Sequence, residues 1–151
     1  GLAGFQGVRR RFEVRARTAK SVFIDDYAHH PAELDACIRS ARELHPGRRI
    51  TGIFQPHLFT RTRDLAAGFA DSLAQLDELI LLDIYPAREQ PLPGITSAWL
   101  LEQVPLKNKT LCTKEALVPL LRTRDVDILL ALGAGDIDRE VPVIAAMLNE
   151  R

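Results

Sequence analysis

Apolar residues along the chain follow two alternating rhythms. Short apolar runs such as Val22-Phe23-Ile24 and the stretches over 78–84 and 126–132 have the length and composition of buried strands. Between them lie segments with apolar positions three and four apart, the spacing of one helix face. The first such segment opens at Pro31 and carries Leu34, Cys37, Ile38, Ala41 and Leu44, until Pro46-Gly47 stops it. A strand over 49–55 follows, then the exit loop Pro56-His57-Leu58-Phe59-Thr60. Thr60 or Thr62 is placed to cap the next helix, whose apolar face is Leu65, Phe69, Leu73 and Leu76.

The strand over 78–84 leads into a proline-rich loop over 85–94, and loops of that length are often functional. A short helix over 97–104 and a short strand over 110–112 come next. Thr113 caps a helix carrying Leu117, Leu120 and Leu121. After the strand over 126–132, Gly133-Ala134-Gly135 makes a tight turn into a last helix with Val141, Ile144, Ala145 and Leu148. At the other end, residues 9–17 alternate imperfectly and suit an Arg-rich antiparallel edge strand, preceded by a linker over 1–7. The alternation implies an α/β fold: a mostly parallel twisted sheet of about six strands with helices on both faces.

Length and composition narrow the class. The 151 residues suffice for one domain with a proper core. Lys plus Arg and Asp plus Glu are 20 each, so that, local basic clusters aside, nothing points to a polyanion-binding surface or a nucleic-acid partner. No apolar run approaches the roughly 20 residues of a membrane span, and the first residues lack the apolar core of a signal peptide. The two cysteines, Cys37 and Cys112, read as buried free thiols of a cytoplasmic protein. A start at Gly1-Leu2-Ala3-Gly4, without Met, is expected of a piece of a longer chain.

Chemistry-bearing residues gather at strand exits: Asp25 to His30, Gln55 to Arg61, and Tyr85 to Glu89. Parallel strands share a direction, so these loops can converge on one crevice at the carboxyl ends of the sheet. Asp25 and Asp26 are adjacent and point to opposite faces of a strand, which argues against a catalytic dyad. One would cap the helix or hold a loop, and the other would meet a ribose hydroxyl or a metal-bound water. His29 and His30 admit a metal site with Asp26 and His57, or helix-start packing; no close-spaced metal motif supports the metal. Arg9, Arg10 and Arg11 form either a solvated basic edge or a phosphate contact. Arg61 and Arg63 at a predicted helix start oppose the helix dipole and call for an anion, either a substrate carboxylate or Asp64. Gly133-Ala134-Gly135 lacks the third glycine of a dinucleotide fingerprint, and the phosphate-loop pattern of ATPases is absent from these 151 residues.

Asp25-Asp26-Tyr27-Ala28-His29-His30-Pro31, Phe54-Gln55-Pro56-His57 with Phe59-Thr60-Arg61-Thr62, and Tyr85-Pro86-Ala87-Arg88-Glu89 together resemble one family. It is the C-terminal domain of the Mur ligases, specifically those joining L-alanine to UDP-N-acetylmuramate. Arg10-Arg11-Phe12 and Gly133-Ala134-Gly135-Asp136-Ile137 fall in the same order. The Asp-Tyr-Ala-His turn is shared with the ligase adding the third residue. The double His followed by Phe-Gln-Pro-His points to the alanine-adding enzyme.

The resemblance implies a Rossmann-like domain that closes over a UDP-sugar domain and a central ATPase domain, both outside this sequence. ATP with Mg2+ would phosphorylate the lactyl carboxylate, and the amine of L-alanine would attack the acyl phosphate. By motif, Arg11, Asp26 and Tyr27 would lie on the nucleotide side, and His29, His57 and Arg61 on the amino-acid side. The resemblance assigns no metal ligand to this domain. Many relatives carry Arg where this chain has Leu58, and it assigns no role to Tyr85, Arg88 or Glu89. Two readings of other classes compete: a stand-alone nucleotide-binding module, and a small hydrolase using Asp26 with His29 or His57.

Overall fold

The computed structural model describes residues 10–151. Six strands form one sheet, β1 (Glu13–Arg17), β2 (Val22–Asp26), β3 (Ile50–Phe54), β4 (Glu78–Leu82), β5 (Lys109–Cys112) and β6 (Ile128–Leu132). Their order across the sheet is β1-β2-β6-β3-β4-β5. Only β1 runs antiparallel, against β2; β2–β6, β6–β3, β3–β4 and β4–β5 are parallel.

Strand side chains divide strictly by parity, as a period of two demands. Ile24, Phe54, Leu79, Leu81 and Leu130 face one apolar layer with Leu34, Ile38, Phe69 and Leu73. Phe23, Ile53, Ile80, Leu82 and Leu129 face the other, with Leu117, Leu121, Ile144 and Met147. The helices behind the first layer are α1 (Pro31–Leu44), α3 (Ala66–Leu73) and α4 (Ser97–Gln103); behind the second are α5 (Lys114–Arg122) and α6 (Val141–Asn149). Connection order explains the division. The chain steps from β2 to β3, β4 and β5 in one direction, then returns from β5 to β6 in the middle. Right-handed crossovers put helices of opposite travel on opposite faces.

Several boundaries differ from expectation. The edge strand begins at Glu13, so Arg10 and Arg11 precede it, while Arg9 and the expected linker over 1–7 lie outside the described residues. The strand over 78–84 ends at Leu82. The single helix expected after β3 is two, α2 (Phe59–Asp64) and α3, broken at Leu65 with φ −112° and ψ 16°. The break leaves α2 at the strand exits while α3 packs on the start of α1, where Gly68 lies so close that a Cβ would come within 2.9 Å of Pro31 Cγ. Leu44 is exposed, and Cys112, on the edge strand, is only half-buried. Thr113 caps α5 as expected, accepting from Ala116 N–H at 3.2 Å. No described helix is long and apolar enough to cross a membrane.

Candidate functional site

The exit of β2 divides its two carboxylates. Asp25 is 1% exposed and takes Arg10 Nε–H at 3.0 Å and Nη2–H at 3.2 Å. The same guanidinium donates to the Gly133 carbonyl at 2.8 Å and lies 5.3 Å from the centre of the Tyr27 ring. Burial raises the Asp25 carboxyl above its ordinary value, and the Arg10 charge offsets part of that rise. Arg10 is therefore an internal tie, neither a solvated edge cation nor a free phosphate contact.

Asp26, on the other side, accepts from Phe12 N–H at 2.9 Å and Ala28 N–H at 2.8 Å. It lines a cavity of about 230 Å³ with Arg11, Phe12, Tyr27, Cys37 and Ser40. Arg11 and Tyr27 are exposed, and Cys37 lies at the cavity floor. Burial, then the neighbouring Asp26 charge, pushes the Cys37 thiol far above its ordinary value, so it is an inert wall. Arg11, Asp26 and Tyr27, expected together, do lie together.

The second flank is built on β2 and β3. His29 Nδ1 lies 3.0 Å from the Tyr27 carbonyl, which can only accept, and 3.4 Å from Glu33 Oε1, so Nδ1 carries a hydrogen and Nε2 is the acceptor of the neutral ring. Glu33 Oε1 accepts from His29 N–H at 3.1 Å and His30 N–H at 3.0 Å, closing the start of α1. His57, just past β3, receives Arg61 Nη1–H on Nδ1 at 3.0 Å. That bond fixes the opposite tautomer, with hydrogen on Nε2. Desolvation, then the charge of Arg61 and the nearby His29, lowers the His57 pKa and keeps the ring neutral. The His29 and His57 ring centres are 6.3 Å apart. Tyr85 stacks on His57 at 5.5 Å with planes 24° apart. A parallel bridge between His57 and Tyr85 extends the β3–β4 ladder to this point.

The start of α2 departs from both capping expectations. Its cap position is Leu58, at φ +74°. Thr62 Oγ–H turns back to the Leu58 carbonyl at 2.7 Å. The Glu89 carboxylate, from the loop after β4, accepts from Phe59 N–H at 2.6 Å, Thr60 N–H at 3.1 Å and the Thr60 hydroxyl. The helix-start N–H groups expected to meet a substrate carboxylate are thus occupied by the protein's own. Arg63, not Arg61, pairs with Asp64, at 2.7 Å.

Glycines close the site from below. A Cβ on Gly133 would stand 2.8 Å from Gln55 O, and one on Gly135 would stand 2.5 Å from Gln55 Oε1 and 2.7 Å from Tyr85 Cγ. Gln55 is consumed internally, donating to Asp136 Oδ1 at 2.7 Å and accepting from Ile137 N–H at 3.0 Å. The glycine turn is a close-packing device, as its missing fingerprint implied.

Among the described residues, donor atoms of His29, His30 and Glu33 lie within 4.8 Å of one another. Asp26 and His57 do not belong to that group. A helix start and the charge of Arg61, which also lowers His30 after desolvation does, both oppose a cation there. The role that the geometry gives Glu33 is capping. Sequence reasoning missed Glu89 and the stacking of Tyr85; the signal available was a helix start, Pro56-His57-Leu58, with no capping side chain of its own.

The chain matches the family described as Mur ligase, glutamate ligase domain, over residues 10–135. It is 52% identical over 149 residues to the UDP-N-acetylmuramate–L-alanine ligase of Flavobacterium johnsoniae, covering 99% of this chain and 33% of that protein. It is 56% identical over 142 residues to the Porphyromonas gingivalis W83 ligase of the same name, covering 93% and 31%. The chain thus spans about a third of the length of these relatives. Among solved structures, the UDP-N-acetylmuramate-alanine ligase of Thermotoga maritima superposes with TM-score 0.75 at 24% identity, over 99% of this chain and 32% of that one.

Proposed function

Because this chain belongs to the Mur ligase glutamate ligase domain family, we propose that it is the C-terminal domain of an ATP-dependent amide ligase. The parent enzyme joins L-alanine to UDP-N-acetylmuramate in peptidoglycan precursor synthesis, in the cytoplasm. This domain binds the amino acid and closes over its own N-terminal and central domains. The relatives' activity at 52% and 56% identity supports the substrate assignment. One arrangement carries the residue assignment: His29, His57 and Arg61 converge with complementary hydrogen-bonding states.

Arg61 keeps one nitrogen on His57 and has further N–H groups for the alanine carboxylate. His57, neutral with hydrogen on Nε2, offers a further donor on the ring edge away from Arg61. His29 offers an Nε2 lone pair, which accepts a hydrogen bond from the amine and leaves its nitrogen oriented for attack. A guanidinium for the acid, a neutral donor on His57 and an acceptor for the amine make a minimal amino-acid site.

The nucleotide side corresponds to the cavity at Asp26. Its 230 Å³ is below the 300–1,000 Å³ usual for a whole ligand. The exposed Arg11 and Tyr27 suit a phosphate and a ring or ribose face, so the residues fit one flank of a nucleotide. The phosphate loop belongs to the central domain. Bound ATP with Mg2+ supplies the phosphoryl group that activates the lactyl carboxylate; this domain supplies no Mg2+ ligand in the proposal.

Steady-state kinetics of the full-length enzyme tests the assignment. A charge-assisted contact is worth about 1.5–3 kcal/mol, so Arg61→Ala raises the KM for alanine by roughly one to two powers of ten. Its KM for ATP stays nearly unchanged. Asp26→Ala gives the reverse pattern. Equal losses for both substrates in Arg61→Ala would refute the carboxylate role.

A further inference from the structure

Glu89 touches none of the proposed ligand groups directly, yet the loop that carries it is built to deliver its carboxylate. Glu89 N–H closes a turn onto the Pro86 carbonyl at 2.9 Å, with Ala87 inside the turn at φ +53°. On the receiving side Leu58 stands at φ +74°. Two non-glycine residues in the left-handed region, one on each side of a single contact, persist only where surrounding bonds over-determine them. The contact between them is the carboxylate of Glu89 on Phe59 N–H, Thr60 N–H and the Thr60 hydroxyl. Two backbone bonds brace it, from Leu58 N–H to Tyr85 O at 2.9 Å and from Tyr85 N–H to Pro56 O at 2.8 Å. The Thr60 hydroxyl, with the two N–H groups and the Arg61 charge behind it, keeps the Glu89 carboxyl below its ordinary value, so it is ionised at neutral pH.

The consequence falls on the next residue. α2 has only six residues and no capping side chain of its own. Its first turn cannot hold itself. Arg61 follows Thr60 directly, and its reach to His57 Nδ1 depends on that turn. We propose that Glu89 is a positioning residue: by capping α2 from the neighbouring loop, it holds the Arg61–His57 pair in the tautomer and geometry that receive the amino acid's carboxylate. The inference rests on the amino-acid-side reading above for its ligand, but not for its geometry.

Two readouts separate these layers. In the 151-residue chain, the ring-nitrogen resonances of His57 report its tautomer without any substrate. In the wild type Nδ1 is the unprotonated acceptor. In Glu89→Ala, and to a smaller extent in the isosteric Glu89→Gln, the ring averages between tautomers. In the full-length enzyme, Glu89→Ala raises the KM for alanine about tenfold, the size of a lost helix cap. Glu89→Gln raises it less, Glu89→Asp recovers part, and the KM for ATP moves less than about twofold. Should Glu89→Ala fail to fold, Glu89→Gln and Thr60→Val carry the same comparison. An unchanged His57 tautomer in the variants overturns the inference whatever the substrate. A fall in melting temperature with alanine and ATP constants rising together also overturns it, since that is a general structural role. A wild-type enzyme with no alanine-dependent turnover would refute the ligand reading while leaving the tautomer signature to decide the role of Glu89.

Discussion

Removing Arg10 isolates a buried carboxylate, and the cost follows from burial alone. Asp25 is 1% exposed and its partner's side chain 14%. Breaking a buried pair by deleting one member costs about 3–5 kcal/mol, because the remaining charge has neither water nor partner. The Gly133 carbonyl also loses its donor. For a domain of this size each kcal/mol moves the melting temperature by about 2–4 °C, so Arg10→Ala should melt roughly 6–20 °C below the wild type at pH 7. The assay is thermal and urea unfolding followed by circular dichroism, with the single tryptophan, Trp99, as a second probe.

pH provides the check on mechanism. Without Arg10, burial raises the Asp25 carboxyl further above its unfolded value. The folded variant then binds a proton that the unfolded chain does not. This group's contribution is fully present below the unfolded pKa of about 3.9 and is lost as pH rises through the folded one. The deficit relative to wild type should therefore shrink as pH falls from 7 to 5. Adding Asp25→Asn to Arg10→Ala removes the charge and should recover much of the loss at every pH. A deficit below about 1 kcal/mol at pH 7 with no recovery in acid would refute the argument and return Arg10 to the solvated edge.

Gly135→Ala places a methyl 2.5 Å from Gln55 Oε1 and 2.7 Å from Tyr85 Cγ, at an unstrained φ of −87°. It should cost the 1–3 kcal/mol of overpacking, about 2–12 °C in melting temperature, and a wild-type melt would contradict it. The lowered His57 pKa means the unfolded chain takes up that proton first. Its contribution is complete above about pH 6.5 and falls as pH drops through the folded value. The urea midpoint should decline from pH 7.5 to 5.5, less steeply in His57→Gln; parallel slopes would remove His57 as the cause. The 151-residue chain contains no phosphate loop. Incubated with ATP, Mg2+, alanine and UDP-N-acetylmuramate, it should release no more phosphate than a heat-killed control, and it should nevertheless melt cooperatively.

Period and punctuation carried most of the fold. The apolar runs over 126–132 and 78–84 were legible as buried strands, and the structure trims them to Ile128–Leu132 and Glu78–Leu82. Pro31 and Thr113 marked helix starts through local chemistry that acts within a few residues. The site was legible as a convergence of loops, because parallel strands fix where their exits lie. What stayed hidden were couplings between distant positions. Arg10 meets Asp25 at a separation of 15 residues and Gly133 at 123; Glu89 meets Thr60 at 29. Arg10 and Arg11 look identical as sequence, yet one is a buried tie and the other an exposed donor. The break at Leu65 was invisible for a related reason: it goes with a close approach of α3 to Pro31 at Gly68, a distant contact that no periodicity records.

The two proposed ligand arginines are presented by the same device. Arg11 lies between Arg10 at φ +65° and Phe12 at φ +47°. That segment is pinned by Asp25 on the Arg10 side chain and by Asp26 on Phe12 N–H. Arg61 follows a turn pinned by Glu89, between Leu58 and Ala87 at positive φ. In each case a carboxylate is spent on the neighbouring backbone or side chain and not on the arginine itself. The result is locally unbalanced. A chain of zero net charge presents Arg11, just before β1, and Arg61, just after β3, with the nearby Asp25, Asp26 and Glu89 already engaged. In a helix of only six residues Arg61 falls in the last turn as well as near the start, so the dipole does not decide its placement, and what marks it is the lack of an acid of its own among the described residues. Leaving both arginines free is explicable if the missing anions arrive with the ligands: a carboxylate at Arg61 and phosphate at Arg11.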